Sequence, residues 1–562
     1  MLDIFCNNFK IFLMSNVPNY QKLELTKKEK YLLEPFFTNI SKSVYAVTFL
    51  PPEVIGALCS RSSRAKDDLR LILLNEFIKP FLEEGDKYGK SLQSLIDFLH
   101  KNPWELIFAN PKGREFYIKW LAQYGDDSIA QMSGTHLIYQ SLSQIAIKYF
   151  EDMRVGIAPI EKSTRYVDYS SKVNGKYRYY IDPKFKILGL DKEYKQVMDN
   201  LFKTYTSLYV EYAEYLKKHN PNEPEYLIRT KALDTVRGLL PLSTLSQVSF
   251  FANGASFEYF VARGLDNNLG EVRWAAEEAK KELDYVIPAF LRRIDSTGAK
   301  EYRNYLSTRS SNLKKALKSI NWKNEVNKSK RGVKLLEYDK NAENKIIAGL
   351  IYTENKEEYK SIYKKVKKLS KAKKQKILDE VLKNRKQRWY KMPRAFENAY
   401  LRFEITMNIA GWRDLHRHRM QTQYREKFNI YNGFEVPKEL KKLGYEKKYV
   451  HAIEKLENLY KKVEKVDVDL AQYCVSFSHL VKFVQYQNLR AFFWESELRT
   501  IAQGHPDYRK IEQEKVKIIK KKYPLLSKYI MADMNNYEFA RRGSEEQIKA
   551  KEAELKEQLR GK

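Results

Sequence analysis

Cysteine is scarce in this sequence. The three present, Cys6, Cys59 and Cys474, lie too far apart for a CxxC pair or a disulfide framework, so a reducing, cytoplasmic setting fits best. With 22 Gly and 17 Pro in 562 residues, collagen-like and low-complexity classes are excluded. No apolar run reaches the roughly 18 residues a membrane-spanning helix needs. The stretch Met1 to Met14 is apolar in flavour but is broken by Asp3, Asn7, Asn8 and Lys10 and has no basic flank. It does not read as a signal peptide, and Met14 is an alternative natural start. Neither GxGxxG nor GxSxG occurs. Gly85 to Ser91 imitates a phosphate loop but is one residue short between its glycines and follows no apolar strand. No Cys, His and carboxylate cluster has metal-ligand spacing, so no metal site is expected.

What is present is apolar surface and positive charge. Hydrophobic residues make up 43% and aromatics 13%, enough for buried cores, and the length suits more than two domain-sized units. Lys and Arg number 102 against 71 Asp and Glu, a net charge of +31 that attracts polyanions such as nucleic acid or phosphorylated small molecules. Part of this excess follows the general abundance of Lys, Tyr, Ile and Asn. From Lys360 to Lys376, nine of 17 residues are Lys, with Ile362, Val366 and Leu369 at helical spacing. This segment reads as one amphipathic helix with a basic outer face. Residues 20–105 also read as helical. Leu69, Ile72, Leu73 and Phe77 share one helix face behind Asp67 and Asp68, and Pro80 marks the expected stop.

Two segments resemble each other. HLIYQSLSQIAIKYFEDMRVGIAPIEKSTRY begins at His136, and AYLRFEITMNIAGWRDLHRHRMQTQYREKFNI begins at Ala399. Each reads as an extended piece, a helix and a polar loop. In the first, Leu142, Ile145, Ala146, Tyr149 and Met153 form a helix face. In the second, Leu401, Phe403 and Ile405 alternate as a strand before Ile409, Trp412 and Leu415 continue as a helix. Downstream, Glu271-Val272-Arg273 matches Asp507-Tyr508-Arg509, and Arg263 to Arg273 has the same spacing of ten as Arg499 to Arg509. A repeated domain is expected.

Three motifs stand out. Arg417-His418-Arg419, preceded by His416, is a dense cluster of donors suited to a pyrophosphate or a similar anion, because each guanidinium binds oxygens as a fork. A basic helix end is the other reading. Ser163-Thr164-Arg165-Tyr166 offers hydroxyls and a cation for a phosphate monoester and a ring for a base; an ordinary polar loop reads the same way. Asn488, Arg490 and Arg499 offer amide bonds and charge, or a snorkelling helix face.

Read together, these pieces resemble the flavin-dependent thymidylate synthase family, whose signature is RHR, a spaced Ser and SxRY. Here it is split. The second copy carries Arg417-His418-Arg419 but reads Lys427, Asn429 and Ile430 at SxRY. The first carries Ser163, Arg165 and Tyr166 but reads Met153-Arg154-Val155 at RHR. Asn488, Arg490, Leu498 and Arg499 match NxR and LR, and Phe396-Glu397-Asn398 is similar to the family's Phe-Glu-His. The resemblance implies an α+β fold. Two copies of the family's domain, each an antiparallel sheet with long helices, would occupy 106–295 and 386–515. A helical N-terminal region (1–105), a basic helical insertion (296–385) and a charged helical tail (516–562) would complete the chain. It implies FAD as cofactor, dUMP as substrate, methylenetetrahydrofolate as carbon donor and NADPH as reductant. By motif match, Arg417, His418, Arg419, Asn488, Arg490 and Glu397 would bind the cofactor. Ser163, Arg165, Tyr166 and Arg499 would bind substrate, with Arg499 closest to the chemistry. Two partial signatures suggest one composite site. Single-copy members form tetramers, so a homodimer is expected here. The alternatives are a flavin enzyme acting on another pyrimidine or on RNA, and a non-catalytic relative that binds nucleic acid through its basic surface.

Overall fold

A computed structural model of the chain describes residues 20–102, 127–323, 329–540 and 544–560, with isolated positions at 111–119 and at 325. The Met1 to Met14 reading, Cys6 and the 105/106 boundary lie outside the described residues. The chain divides into two units: residues 1–207, 239–325 and 450–475 form the first, and residues 208–238, 326–449 and 476–562 the second. Each unit therefore includes a segment whose sequence lies inside the other copy.

The first unit is built on a four-stranded antiparallel sheet of β1 (Val44–Ala46), β2 (Gly134–Ser143), β3 (Ile157–Glu161) and β4 (Leu245–Asn253), in the order β1-β2-β4-β3. Helix α1 (Gln144–Glu151) follows β2, and α2 (Gly254–Leu265) and α3 (Gly270–Val286) follow β4. The second unit repeats the plan with β5 (Gly332–Tyr338), β6 (Tyr400–Asn408), β7 (Thr422–Arg425) and β8 (Leu480–Asn488), in the order β5-β6-β8-β7. Here α4 (Ile409–Leu415) follows β6, and α5 (Leu489–Arg499) and α6 (Pro506–Lys522) follow β8. Two copies of one α+β topology are thus present, as the repeated motifs imply.

The strand-to-helix corners explain why the two sequences fold alike. At each corner the chain turns on a capping side chain. Ser143 accepts from the Ala146 amide, Asn253 from Ser256, Asn408 from Gly411 and Asn488 from Ala491. A cap satisfies one of the amides that a helix start leaves without a partner. Within β6, Leu401, Phe403 and Ile405 are fully buried at alternate positions, the period a half-covered strand demands.

The structure departs from the sequence reading at three helical segments. Pro80 does not stop its helix. Leu73–Ile78 form a π-helical turn and Pro80 enters the first turn of the next helix, where no amide hydrogen is required. The basic segment after Lys360 is two helices, Tyr359–Lys368 and Lys371–Leu382, broken at extended Leu369 because Ser370 caps the second. β1 and β5 lie in regions read as helical, and each supplies an edge strand to its sheet. Both are bounded by partners far away in sequence, which no local periodicity reports.

Candidate functional site

In the second unit, β6 ends at Asn408, and α4 carries the chain past fully buried Trp412 to the Arg417-His418-Arg419 turn. The His416 ring lies against Trp412 with centroids 4.6 Å apart. Arg417 and Arg419 are exposed and His418 is half-buried. Helix α5 ends at Arg499, whose Nε donates to His418 Nε2 at 2.7 Å. A guanidinium only donates, so this ring nitrogen accepts. The same guanidinium lies over the Tyr508 ring, 5.6 Å from its centroid. Two motifs 81 residues apart in sequence are thereby brought into contact.

Beneath this pair lies a buried charged cluster that sequence reasoning missed. Lys515 Nζ donates to Glu495 at 2.8 Å, to Glu512 at 2.9 Å and to Gln485 at 3.1 Å. Gln485 Nε2 in turn donates to both Glu495 oxygens and to Gln421. Lys515, Glu512 and Gln485 are fully buried and Glu495 nearly so. Burial pushes the Glu512 carboxyl up to about 7 against the pull of Lys515. Burial also opposes ionisation of Glu495, but the Lys515 charge and the hydrogen bonds from Lys515 and Gln485 hold that carboxyl below its ordinary range. The repeat shows how unusual this is. Counting from the starts of β4, α2 and the Glu271 motif, the same positions in the first copy are Phe250, Phe260, Ala276 and Ala279. There Phe260 stacks on Phe150 at 4.0 Å and meets Phe250 edge-on at 5.3 Å. At these four positions the scaffold thus carries apolar side chains in one copy and an ionic network under His418 and Arg499 in the other. The available sequence signal was two glutamates in LRAFFWESELR, on a helix with no apolar stripe.

The remaining expected residues separate from this pair. Arg490 Nη1 donates to Glu397 at 2.7 Å and its Nε to the Met392 carbonyl at 2.7 Å. Glu397 also accepts from Arg394 at 3.2 Å. Arg490 opens α5 and Arg499 ends it, so they lie roughly 13 Å apart along the axis. Asn488 spends its Oδ1 on the helix cap, as Asn253 does in the first copy. Ser163, Arg165 and Tyr166 belong to the first unit. There Ser163 Oγ accepts from the Arg165 amide at 3.2 Å, the Arg165 side chain is buried, and the Arg64 guanidinium lies 5.4 Å from the Tyr166 ring centroid.

The matched Glu271 and Asp507 also diverge. Glu271 is sealed in the first unit, accepting from the Ser143 amide at 2.8 Å and the Tyr473 hydroxyl at 2.7 Å, and burial pushes its carboxyl up to about 7. Asp507 instead lines a cavity of about 400 Å³ in the second unit. Burial opposes its charge, yet His505, Arg331 and Asn408 hold its carboxyl down at about 2, with Asn408 Nδ2 2.9 Å away.

Fold and site define a twofold-repeated α+β chain whose second copy alone carries an Arg-His-Arg turn over a buried ionic network. A family model described as "Thymidylate synthase complementing protein" matches residues 91–289 and 334–525. The chain belongs to this family. A UPF0159 protein of Chlamydia muridarum is 32% identical over 94% of this chain and 99% of its own length. Another from Chlamydia pneumoniae is 32% identical over 89% and 94%. A third, from Thermoplasma acidophilum, is 28% identical over 87% and 97%. Among solved structures, a UMP/dUMP methylase PolB from Streptomyces cacaoi bound with 5-Br dUMP is 13% identical. It covers 36% of this chain and 94% of its own, with a TM-score of 0.30. Among the described residues, no helix is long and apolar enough to cross a membrane.

Proposed function

We propose that the chain is a flavin-dependent thymidylate synthase that methylates dUMP to dTMP with methylenetetrahydrofolate and NADPH. The observation that carries this reading is the 2.7 Å bond between Arg499 and His418, which joins two family motifs in a chain of that family. The residues fit a flavin in part. Arg417 and Arg419 present exposed guanidiniums suited to its phosphates, whereas the Asn488 carbonyl oxygen is taken by the helix and Arg490 is paired with Glu397. In the proposed role, Arg417, His418 and Arg419 hold the cofactor, and Glu397 keeps Arg490 oriented beside it. When bound, the flavin supplies the hydride for the reaction.

The chain's own part is to bind and orient. Arg499 is held by His418 and points its remaining donors toward an anionic or carbonyl oxygen of the pyrimidine nucleotide. Ser163 and Arg165 bind the nucleotide phosphate, and Tyr166 meets the base. The ionic network below keeps His418 and Arg499 in place while water is excluded from its polar atoms.

The test is direct. Purified protein supplied with FAD, dUMP, methylenetetrahydrofolate and NADPH should form dTMP and should restore growth to a thymidine auxotroph. Flavin-loaded protein that binds dUMP yet yields no dTMP would overturn the reading.

A further inference from the structure

The first unit holds a second cavity, of about 390 Å³, bounded by residues 20–24 and 66–71, β2, β4 and the loop carrying Arg178. Lys162 and Arg178 both line it. The Lys162 side chain is 6% exposed, and its Nζ donates to two backbone carbonyls, Lys66 at 3.0 Å and Asp67 at 3.1 Å. Arg178 Nη2 donates to the Asp168 carbonyl at 2.6 Å and the guanidinium lies 4.2 Å from the Tyr169 ring centroid. Its Nε is buried without a partner, as is Oε1 of Gln247 on the same wall. Among the described residues, neither cation is in an ion pair. Asp68, the acid beside them, is committed to Arg70 at 2.9 Å and to the Tyr20 hydroxyl at 3.1 Å. Glu24 and Asp67 also line the cavity, against Lys22, Lys66 and Lys176.

Lys162 is a buried cation without an ion-pair partner and the half-buried Arg178 adds like charge beside it, an arrangement that is costly unless an anion joins them. Burial and the Arg178 charge push the Lys162 amine down to about 8, against the opposing pull of Asp68 and Asp67. The second copy removes the feature. The backbone bond from Lys162 N to Gln247 O at 2.8 Å is matched by one from Glu426 N to Lys482 O at 3.4 Å, so a glutamate stands where the first copy has Lys162.

We propose that this cavity is a binding site for a phosphorylated small molecule, with Lys162 and Arg178 holding the phosphate oxygens and Gln247 accepting from a hydroxyl of the ligand. The volume suits a sugar phosphate or a mononucleotide. Ser163, Arg165 and Tyr166 do not line it, so the site is separate from the proposed dUMP phosphate contacts and stands whether or not the chain makes thymidylate.

The test is calorimetric titration of the full chain, carrying Arg165→Gln to silence the other proposed phosphate contact, with inorganic phosphate, ribose 5-phosphate and acetate. Phosphate and ribose 5-phosphate should bind and compete with each other, and acetate should bind far more weakly. Lys162→Met and Arg178→Gln should each weaken ribose 5-phosphate about ten- to a hundredfold, the effect of losing one charge-assisted bond. Should Lys162→Met fail to fold, as judged by circular dichroism, Arg178→Gln carries the test alone. Absence of phosphate binding, or binding unchanged in Arg178→Gln, overturns the proposal. Acetate binding as tight as that of phosphate also overturns it, because the site would then read a charge and not a phosphate.

Discussion

Replacing Lys515 by Met tests the ionic network under His418 and Arg499. The change removes the one ammonium that Glu495 and Glu512 share, at 2.8 and 2.9 Å, with all three side chains buried. Breaking a buried pair by removing one partner costs about 3–5 kcal/mol, because the remaining charge has neither water nor a counter-ion. Protonation offers relief. Without the ammonium, the folded pKa of Glu512 rises further above its unfolded value, and Glu495 loses the charge that holds it below its own and rises with burial. The penalty is then fully present at pH 8 and shrinks as pH falls through the raised values toward 5, where both carboxyls accept protons. The parent carries a weaker version of the same trend. Glu512 sits at about 7 against an ordinary 4.5, so its folded form prefers the proton and parental stability should fall by about 3 kcal/mol between pH 4.5 and 8 on its account. Urea unfolding of parent and Lys515→Met at pH 5, 6, 7 and 8, followed by circular dichroism, reads both effects. Adding Glu495→Gln and Glu512→Gln to Lys515→Met should recover much of the loss at pH 8. A Lys515→Met penalty that is equal at pH 5 and 8 would refute the argument, since packing loss alone does not titrate.

Arg417→Ala and Arg419→Ala should each weaken FAD binding about ten- to a hundredfold, measured by flavin fluorescence on titration, whereas unchanged binding in both would remove these residues from the cofactor. Arg165→Lys should raise the dissociation constant for dUMP while leaving the flavin spectrum as in the parent, because an ammonium cannot copy the two parallel bonds of a guanidinium to phosphate. For Asp507, whose folded pKa near 2 lies below its ordinary 3.8, the stabilisation is present above pH 4 and lost as pH falls through 2. Asp507→Asn should therefore destabilise by about 2 kcal/mol at pH 7 and less at pH 3, read by urea unfolding. Light scattering should show two chains per particle; an active monomer would contradict the homodimer.

The sequence alone determined the local pieces. Alternation at Leu401, Phe403 and Ile405 set a strand, because side chains on a pleated sheet repeat every two residues. Paired positions such as Glu271 and Asp507 exposed the repeat, and the Arg-His-Arg and NxR motifs pointed to the family. Each of these signals is read from a few neighbouring residues. The tertiary structure decided what depends on partners distant in the chain. β1 and β5 are strands because β2 and β6 offer them hydrogen-bonding edges. Residues 208–238 and 450–475 segregate each with the unit built largely from the other copy. Arg499 reached His418, and Lys515, Glu495 and Glu512 closed on one another, through α5 and α6 packing together. Nothing in its local sequence marks Lys162, which the fold buries beside Arg178. A charge in a sequence carries no record of whether water will reach it, and that exclusion of water is what turns these residues into candidate sites.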